Sequence, residues 1–168
     1  NLDETQVKAI KTQLAWTESG FKYDATEAAR GNYLGKYQMG SAALTDLGYI
    51  KPDAYAKYGS SAVNYPSSWT GKDGVGSKDA FLSNASVQER SMDRLLENNY
   101  KTMTRIGAIQ PGDDPSTVGG MLSTAHLLGP AAPKTGATVV LKELAAEQMQ
   151  TVQLEVPILI MVAMQLTL

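Results

Sequence analysis

The stretch Trp16-Thr17-Glu18-Ser19-Gly20 closes the first predicted helix, and Gly35-Lys36-Tyr37-Gln38-Met39 follows about fifteen residues later. Glu18 stands at the end of an amphipathic segment, directly before Ser-Gly. A carboxyl group at such a helix end, shielded by apolar neighbours, has a raised pKa and can donate a proton at neutral pH. The tyrosine and amide of the second stretch suit a sugar, because flat rings cover its apolar faces and polar tips bond its hydroxyls.

The spacing of apolar residues predicts helices over much of the chain. An Asp3/Gln6 capping box and a terminal Gly20 predict a helix over residues 4 to 18. A second helix is predicted from Gln38 to Leu47. Residues 21 to 36 are expected to form a loop, and residues 49 to 86 a long tyrosine-rich excursion with a short helix at 53 to 58. The fold class that follows is mostly α with long irregular loops.

Two longer helices are predicted in the second half of the chain. Ser86 and Glu89 are expected to form a capping box that opens a helix of about twenty residues. Asp114 is expected to cap the next helix, with Pro115 at its first position and an end at Gly129-Pro130. Both helices present one apolar face, as an α-rich domain requires.

Composition limits the function classes. The 168 residues carry a net charge of −2, a single histidine and no cysteine. The length suits one domain with a real core. The absence of a Lys/Arg stripe argues against a nucleic-acid partner, and the lack of cysteine excludes disulfides and Cys-based metal sites. One histidine cannot form a His-rich metal site. The chain begins at Asn1 without a leader, so we expect a processed protein or a fragment.

Three motifs carry a family resemblance. Glu18-Ser19-Gly20, Gly35-Lys36-Tyr37-Gln38-Met39 and Ala125-His126-Leu127-Leu128-Gly129-Pro130 resemble, in order and spacing, the Glu-Ser, Gly-Leu-Met-Gln and Ala-Tyr-Asn-Ala-Gly motifs of soluble lytic transglycosylases and goose-type lysozymes. The variant looks closest to the lysozyme-like domains of phage-tail proteins and related bacterial muramidases. The resemblance covers roughly residues 1 to 130 and implies a single lysozyme-like domain over residues 1 to 168.

The resemblance implies a muramidase that cleaves the β-1,4 bond between N-acetylmuramic acid and N-acetylglucosamine, by hydrolysis or lytic transglycosylation. Its partner would be the glycan strand of peptidoglycan, with no metal, organic cofactor or membrane span. We expect a monomer that is secreted, periplasmic or virion-associated, within a larger phage-tail or effector protein. The implied catalytic residue is Glu18, and the substrate-binding residues are Ser19, Tyr33, Gly35, Tyr37, Gln38 and His126.

Two other functions stay open. The first is a glycosidase that acts on chitin or chitosan, because these folds share the helix-end glutamate. The second is a phage-tail or effector module that binds glycan without turnover, against which the intact Glu18-Ser19 pair argues. Digestion of purified peptidoglycan compared with chitin would separate the first alternative.

Several residues have a structural alternative. The Ser19 hydroxyl either orients Glu18 or serves ordinary helix-end hydrogen bonding. His126 stands where the family has a tyrosine that positions the glutamate, so it either bonds Glu18 or packs in its helix. Tyr33 either contacts sugar or packs its loop, and Trp69 either stacks on a distant sugar or plugs the loop onto the core. The candidates for a second carboxylate, at no defensible spacing, are Asp24, Glu27 and Asp46.

Residues 130 to 168 are atypical. Leu141 to Gln150 can form a helix, whereas Pro157 to Leu168 carries no charge and is too short for a bilayer span, which needs about twenty residues. One interpretation is a buried terminal helix or strand. The other is a sequence or frame anomaly, because Met161 to Thr167 can encode an amphipathic pattern in the neighbouring frame.

Overall fold

The first helix, α1, covers Glu4–Ser19 and is capped at both ends as its sequence predicts. The Asp3 carboxylate accepts a 2.8 Å hydrogen bond from the Gln6 amide, and the Gln6 side chain accepts one of 3.2 Å from the Asp3 amide. Gly20 ends the helix in the left-handed conformation, at φ 60°. These local interactions fix the position at which α1 stops, and with it the place of Glu18 in the last turn.

The computed structural model describes residues 2–27 and 30–128, with the side chains of residues 127 and 128 left out of the description. The chain divides into two compact units, Asn1–Glu97 and Asn98–Leu168, with the boundary inside the long helix α5. The expectation of one domain over residues 1–168 stays a prediction. The expectations for residues 130–168 lie outside the described residues.

The first unit continues from α1 through short helical elements. These are the α-helices α2 (Ser41–Asp46), α3 (Pro52–Tyr58) and α4 (Lys78–Leu82), and the 3-10 turns Gly59–Asn64, Pro66–Ser68 and Lys72–Gly74. The short helix predicted at 53 to 58 is confirmed, but the rest of the 49–86 excursion is more regular than expected. The second helix begins at Ser41 rather than Gln38, because Gln38 adopts φ 46° and cannot start a right-handed helix.

The helix α5 spans Ala85–Arg105. Its first turn is capped by Asn84, whose side-chain oxygen accepts a 3.0 Å hydrogen bond from the Val87 amide. The predicted Ser86/Glu89 capping box is therefore wrong, and the Glu89 side chain is used elsewhere. The last described helix, α6, spans Pro115–Leu128, and the Asp114 carboxylate accepts a 2.9 Å bond from the Thr117 amide, which confirms that cap.

The fold is mostly α, as predicted. Over residues 2–27 and 30–128, β-structure is limited to isolated bridges that pair Thr26 with Leu34, Leu34 with Met39 and Ile50 with Trp69. None of the helices in that part of the chain has the length and apolar character to cross a membrane. The largest fully buried side chains of the first unit are Leu34, Tyr37, Met39, Leu44, Ile50, Val63, Phe81, Gln88, Met92 and Leu96.

Trp69 belongs to this core. Its side chain is buried, its indole nitrogen donates a 3.0 Å hydrogen bond to the Val63 carbonyl, and its ring lies 6.0 Å from that of Phe81. The interpretation of Trp69 as a plug that holds its loop on the core is confirmed.

Candidate active site

Glu18 is half-buried in the last turn of α1. Burial raises the pKa of its carboxyl group above the ordinary value of 4.5. The helix dipole acts in the same direction, because a negative charge is disfavoured at a helix C-terminus. Among the residues that the structure describes, no group forms a hydrogen bond or an ion pair with this carboxyl group. A carboxylic acid in this environment stays protonated at higher pH than a free glutamate.

Ser19 connects the end of α1 to the second stretch singled out in the sequence. Its hydroxyl donates a 2.7 Å hydrogen bond to the Lys36 carbonyl and accepts one of 3.1 Å from the Lys22 amide. The Ala15 carbonyl, at 3.3 Å, is a weaker acceptor for the same proton. The observed bonds are those of the helix-end interpretation, and the role of Ser19 toward substrate stays a prediction.

Gly35 is required by the packing of Gln88 against the backbone. Its φ is 78°, and a Cβ at this position would collide with the Gln88 side-chain amide. The Gln88 amide oxygen accepts a 2.9 Å hydrogen bond from the Lys36 amide, while its nitrogen donates to the carbonyls of Tyr23 and Phe81, each at 3.0 Å. The observed role of Gly35 is thus to admit a buried amide that holds the turn together.

The Gln38 side chain is turned inward. Its amide nitrogen donates to the Gly35 carbonyl at 2.9 Å and to the Ala25 carbonyl at 3.2 Å. Both donor hydrogens are therefore spent on the protein's own backbone. The side chain thus stabilises the turn that carries it, and the predicted contact of Gln38 with substrate stays a prediction.

Tyr37 is also a structural residue. Its side chain is 1% exposed, and its hydroxyl donates a 2.9 Å hydrogen bond to the Glu89 carboxylate. Burial, followed by the negative charge of Glu89, raises the pKa of the phenol far above its ordinary value. The predicted sugar-stacking face at position 37 is wrong, because a ring this deeply buried offers no face to a ligand.

Glu89 is the centre of a charged cluster that the sequence analysis missed. Its carboxylate receives the ammonium groups of Lys11 and Lys36, each at 2.7 Å, and the hydroxyl of Tyr23 at 2.7 Å, besides that of Tyr37. Burial opposes ionisation, yet these hydrogen bonds lower the pKa of Glu89 to about 2. We call these five residues the Glu89 cluster. It joins α1, the loop after it and α5.

Lys36 connects the Glu89 cluster to the residue next to Glu18. Its ammonium group pairs with the Glu89 carboxylate, and its carbonyl oxygen accepts a hydrogen bond from the Ser19 hydroxyl. The ammonium group of Lys36 also lies 4.9 Å from the ring centroid of Tyr23 and 5.4 Å from that of Tyr37. Lysine and tyrosine frequently meet in this way, but no sequence spacing marks which glutamate will receive them.

A cavity of about 480 Å³ lies along α1. The helix lines it with Glu4, Val7, Lys8, Lys11 and Thr12, and the loop after the helix adds Phe21. At about 100° per residue, position 18 falls in the same arc of the helix as positions 7 and 11. Glu18 therefore lies on the cavity-lining side of α1, about 10 Å along the axis from Lys11.

Tyr33 keeps an exposed ring. The side chain is 46% exposed, and the ring lies against Gly40, where a Cβ would come within 2.9 Å of a ring carbon. This arrangement leaves the outer face open, so the predicted sugar contact stays a prediction. His126 lies in the last turn of α6 in the second unit, while Glu18 belongs to the first. Their predicted hydrogen bond also stays a prediction.

The three candidates for a second carboxylate have different surroundings. Asp24 and Asp46 are exposed. The Glu27 carboxylate accepts a 3.4 Å hydrogen bond from the Asn32 amide and so supports its own loop. Within residues 2–27 and 30–128, no group of three or more histidine, cysteine, aspartate or glutamate side chains could hold a metal ion.

Comparison with known proteins adds no relative: no protein-family model matches the chain, and no curated protein or solved structure matches it significantly.

Proposed function

We propose that the chain is a peptidoglycan-cleaving glycosidase that cuts the β-1,4 bond between N-acetylmuramic acid and N-acetylglucosamine, with Glu18 as the general acid. The observation that carries the proposal is the environment of Glu18: a half-buried carboxyl group at a helix C-terminus, with a raised pKa. The choice of peptidoglycan as the substrate rests on the three motifs that resemble those of lytic transglycosylases and goose-type lysozymes. On this proposal the protein acts outside the cytoplasm or on a virion.

In the proposed reaction Glu18 gives its proton to the bridging oxygen as the bond between that oxygen and the anomeric carbon breaks. The sugar passes through an oxocarbenium-like transition state. A water molecule or the sugar's own 6-hydroxyl then bonds to the anomeric carbon and returns a proton to Glu18. Water gives hydrolysis, whereas the 6-hydroxyl gives an anhydro end and makes the enzyme a lytic transglycosylase.

The surroundings of the other carboxylates favour a mechanism with one glutamate. Glu89 is ionised, but its oxygens are occupied by two ammonium groups and two hydroxyls, which leaves it a poor nucleophile and base. Asp24 and Asp46 are exposed, and Glu27 supports its own loop through the Asn32 amide. The acetamido group of the substrate can assist the departure of the leaving group instead.

The experiment that tests the proposal is the substitution Glu18→Gln, with digestion of purified peptidoglycan as the readout. The amide keeps the shape of the side chain but has no proton to give, so turnover should fall at least about 10²–10⁴-fold. The melting temperature at pH 7 should be unchanged or higher, because the substitution removes a charge that burial disfavours. The matched control is Asp79→Asn, an exposed carboxylate in the first turn of α4.

Product analysis separates the possible outcomes. Mass spectrometry of the digest distinguishes a hydrolysed end from an anhydro end, which differ by one water. Cleavage of chitin but not of peptidoglycan would refute the proposed substrate and support the chitinase alternative. A folded Glu18→Gln variant with activity within tenfold of the parent would refute the role of Glu18. A folded parent that binds peptidoglycan without cleaving it would be a binding module.

A further inference from the structure

Two exposed aromatic side chains, Trp16 and Phe21, flank Glu18 in the chain. Trp16 is 56% exposed and Phe21 is 43% exposed. Their ring centroids lie 5.9 Å apart, with an angle of 49° between the ring planes. Together they form an apolar surface at the C-terminal end of α1. Contiguous apolar surface marks a binding site more often than an isolated apolar side chain does.

The backbone of Phe21 is held in an unfavourable conformation. Its φ is 68°, directly after Gly20 at φ 60°. The left-handed region suits glycine and is uncommon for a bulky side chain, whose Cβ approaches the carbonyl oxygen. Burial of the ring does not explain this strain, because nearly half of the side chain remains exposed. The Phe21 amide donates a 3.1 Å hydrogen bond to the Ala15 carbonyl, so this conformation closes the end of α1 and brings the Phe21 ring against Trp16.

One ring of the pair, that of Phe21, borders the cavity along α1. Phe21 is part of the cavity wall, together with the polar side chains of Lys8, Thr12 and Lys36. The volume of about 480 Å³ is within the range of cavities that accept small ligands. The Thr12 hydroxyl donates its proton to the Lys8 carbonyl at 2.9 Å, so it can face a ligand only as an acceptor, while Lys8 supplies an ammonium donor. An aromatic ring beside such groups suits a hexose, which has apolar faces and a rim of hydroxyl groups.

We infer that Trp16 and Phe21 form a sugar-binding subsite that takes one N-acetylated hexopyranose ring of a glycan strand. The ring would stack on the aromatic surface, and its polar rim would point toward the cavity. The identity of the ligand rests on the proposed function, but the binding does not require that Glu18 acts as an acid. Trp16 and Glu18 are two residues apart in α1 and so lie on different sides of the helix. The subsite would therefore hold a sugar unit of the strand beyond the one at Glu18.

Tryptophan fluorescence can report on this subsite alone. The chain contains two tryptophans, and Trp69 is 5% exposed, whereas Trp16 is largely in solvent. The Glu18→Gln variant is titrated with a purified tetrasaccharide of alternating N-acetylglucosamine and N-acetylmuramic acid. We expect a saturable blue shift of the emission, because the sugar removes water from the Trp16 ring. The Glu18→Gln/Trp16→Ala double variant should show no shift.

Steady-state kinetics on the active protein gives the second measurement. Trp16→Ala and Phe21→Gly should each raise KM for soluble glycan strands by about 3- to 10-fold, the usual effect of losing one aromatic contact. Phe21→Gly should raise KM without lowering the melting temperature, because glycine adopts φ 68° without steric strain. The matched control is Tyr65→Ala, a 42% exposed aromatic residue in the 49–86 excursion, which should leave KM unchanged.

The outcomes distinguish this inference from the proposed function. A blue shift without cleavage by the parent would support the subsite and refute the glycosidase. Cleavage by the parent with no shift, and with KM unchanged in both variants, would refute the subsite and leave the glycosidase intact. A shift that persists after Trp16→Ala would place the sugar near Trp69 and overturn the inference. A drop of several degrees in the melting temperature of Phe21→Gly would show that Phe21 is a packing residue and would overturn its place in the subsite.

Discussion

The Ser19 hydroxyl donates a 2.7 Å hydrogen bond to the carbonyl oxygen of Lys36, and this bond fastens the end of α1 to the turn at residues 35–39. Glu18 is the residue before Ser19, so the same bond limits the movement of the candidate acid. Side-chain hydrogen bonds across a loop are sensitive to the loss of one partner, because the other is left unsatisfied.

Ser19→Ala should therefore lower turnover more than it lowers stability. We expect a loss of about tenfold in turnover, because small displacements of a catalytic group are costly. The free energy of unfolding should fall by about 0.5–1.5 kcal/mol, the net value of one hydrogen bond. The control is Thr17→Ala, whose hydroxyl bonds only within α1, to the Gln13 carbonyl. Equal effects of both substitutions on turnover would contradict the role of the Ser19–Lys36 bond.

The pH dependence of cleavage should follow the raised pKa of Glu18. Burial disfavours the charged form, so the protonated acid persists at higher pH than in a free glutamate, and activity should decline as the pH rises through that pKa. The measurement is kcat/KM on soluble glycan strands from pH 4 to 9. A profile that is flat between pH 5 and 9, under conditions where chemistry limits the rate, would count against Glu18 as the acid.

Glu89→Gln should destabilise the first unit. The substitution leaves the ammonium groups of Lys11 and Lys36 without their shared partner. The Glu89 side chain is 30% exposed, so we expect a loss of about 1–3 kcal/mol, below the range for fully buried pairs. The control is Asp93→Asn, which also pairs with Lys11 at 2.7 Å but is 53% exposed and should cost about 0–1 kcal/mol. Chemical denaturation of both variants gives the comparison.

The same cluster predicts how stability changes in acid. The pKa of Glu89 is about 2 in the folded protein, against 4.5 for an ordinary glutamate. A lowered pKa stabilises the fold at pH values above 4.5, and this contribution is lost as the pH falls from 4.5 toward 2. The free energy of unfolding of Glu89→Gln should change less with pH over that interval than the parent's. Parallel curves for the two proteins would show that Glu89 is not the group that titrates.

His126 offers a test of the third motif. If its ring bonds Glu18, His126→Ala should lower turnover far more than the melting temperature, and His126→Tyr, which restores the common family residue, should keep much of the activity. If the ring instead serves packing within the second unit, His126→Ala should lower the melting temperature and leave the activity per folded molecule unchanged. Both quantities are measured on both variants.

The helix ends were the most predictable part of the fold. The Asp3 and Asp114 caps and the Gly20 stop depend on residues within four positions of one another, so the sequence contains all the partners. The excursion at residues 49–86 was less predictable. Its short helices are held by contacts such as Trp69 with Val63 and Phe81, and these are set by tertiary packing rather than by a local period.

The candidate site was likewise predictable only where its features depend on residues close together in the sequence. The half-burial of Glu18 could be anticipated from its place at a helix end, whereas the roles of Tyr37 and Gln38 could not. Whether Tyr37 faces a cleft or Glu89 depends on a residue about fifty positions away. The positive φ of Gln38, which turns its amide inward, has no sequence mark, because left-handed backbone is usually signalled by glycine or asparagine. Glu89 was missed because its partners come from three separate segments.

The close packing of Gln88 against Gly35 also restricts which substitutions related sequences can carry at these two positions. A side chain can appear at position 35 only if the amide at position 88 becomes shorter or moves away. A shorter residue at position 88 in turn leaves the Lys36 amide without its acceptor, unless another polar group replaces it. The two positions should therefore change together in related sequences or not at all, and their joint identity is a sharper search pattern for distant relatives than the Glu-Ser pair alone.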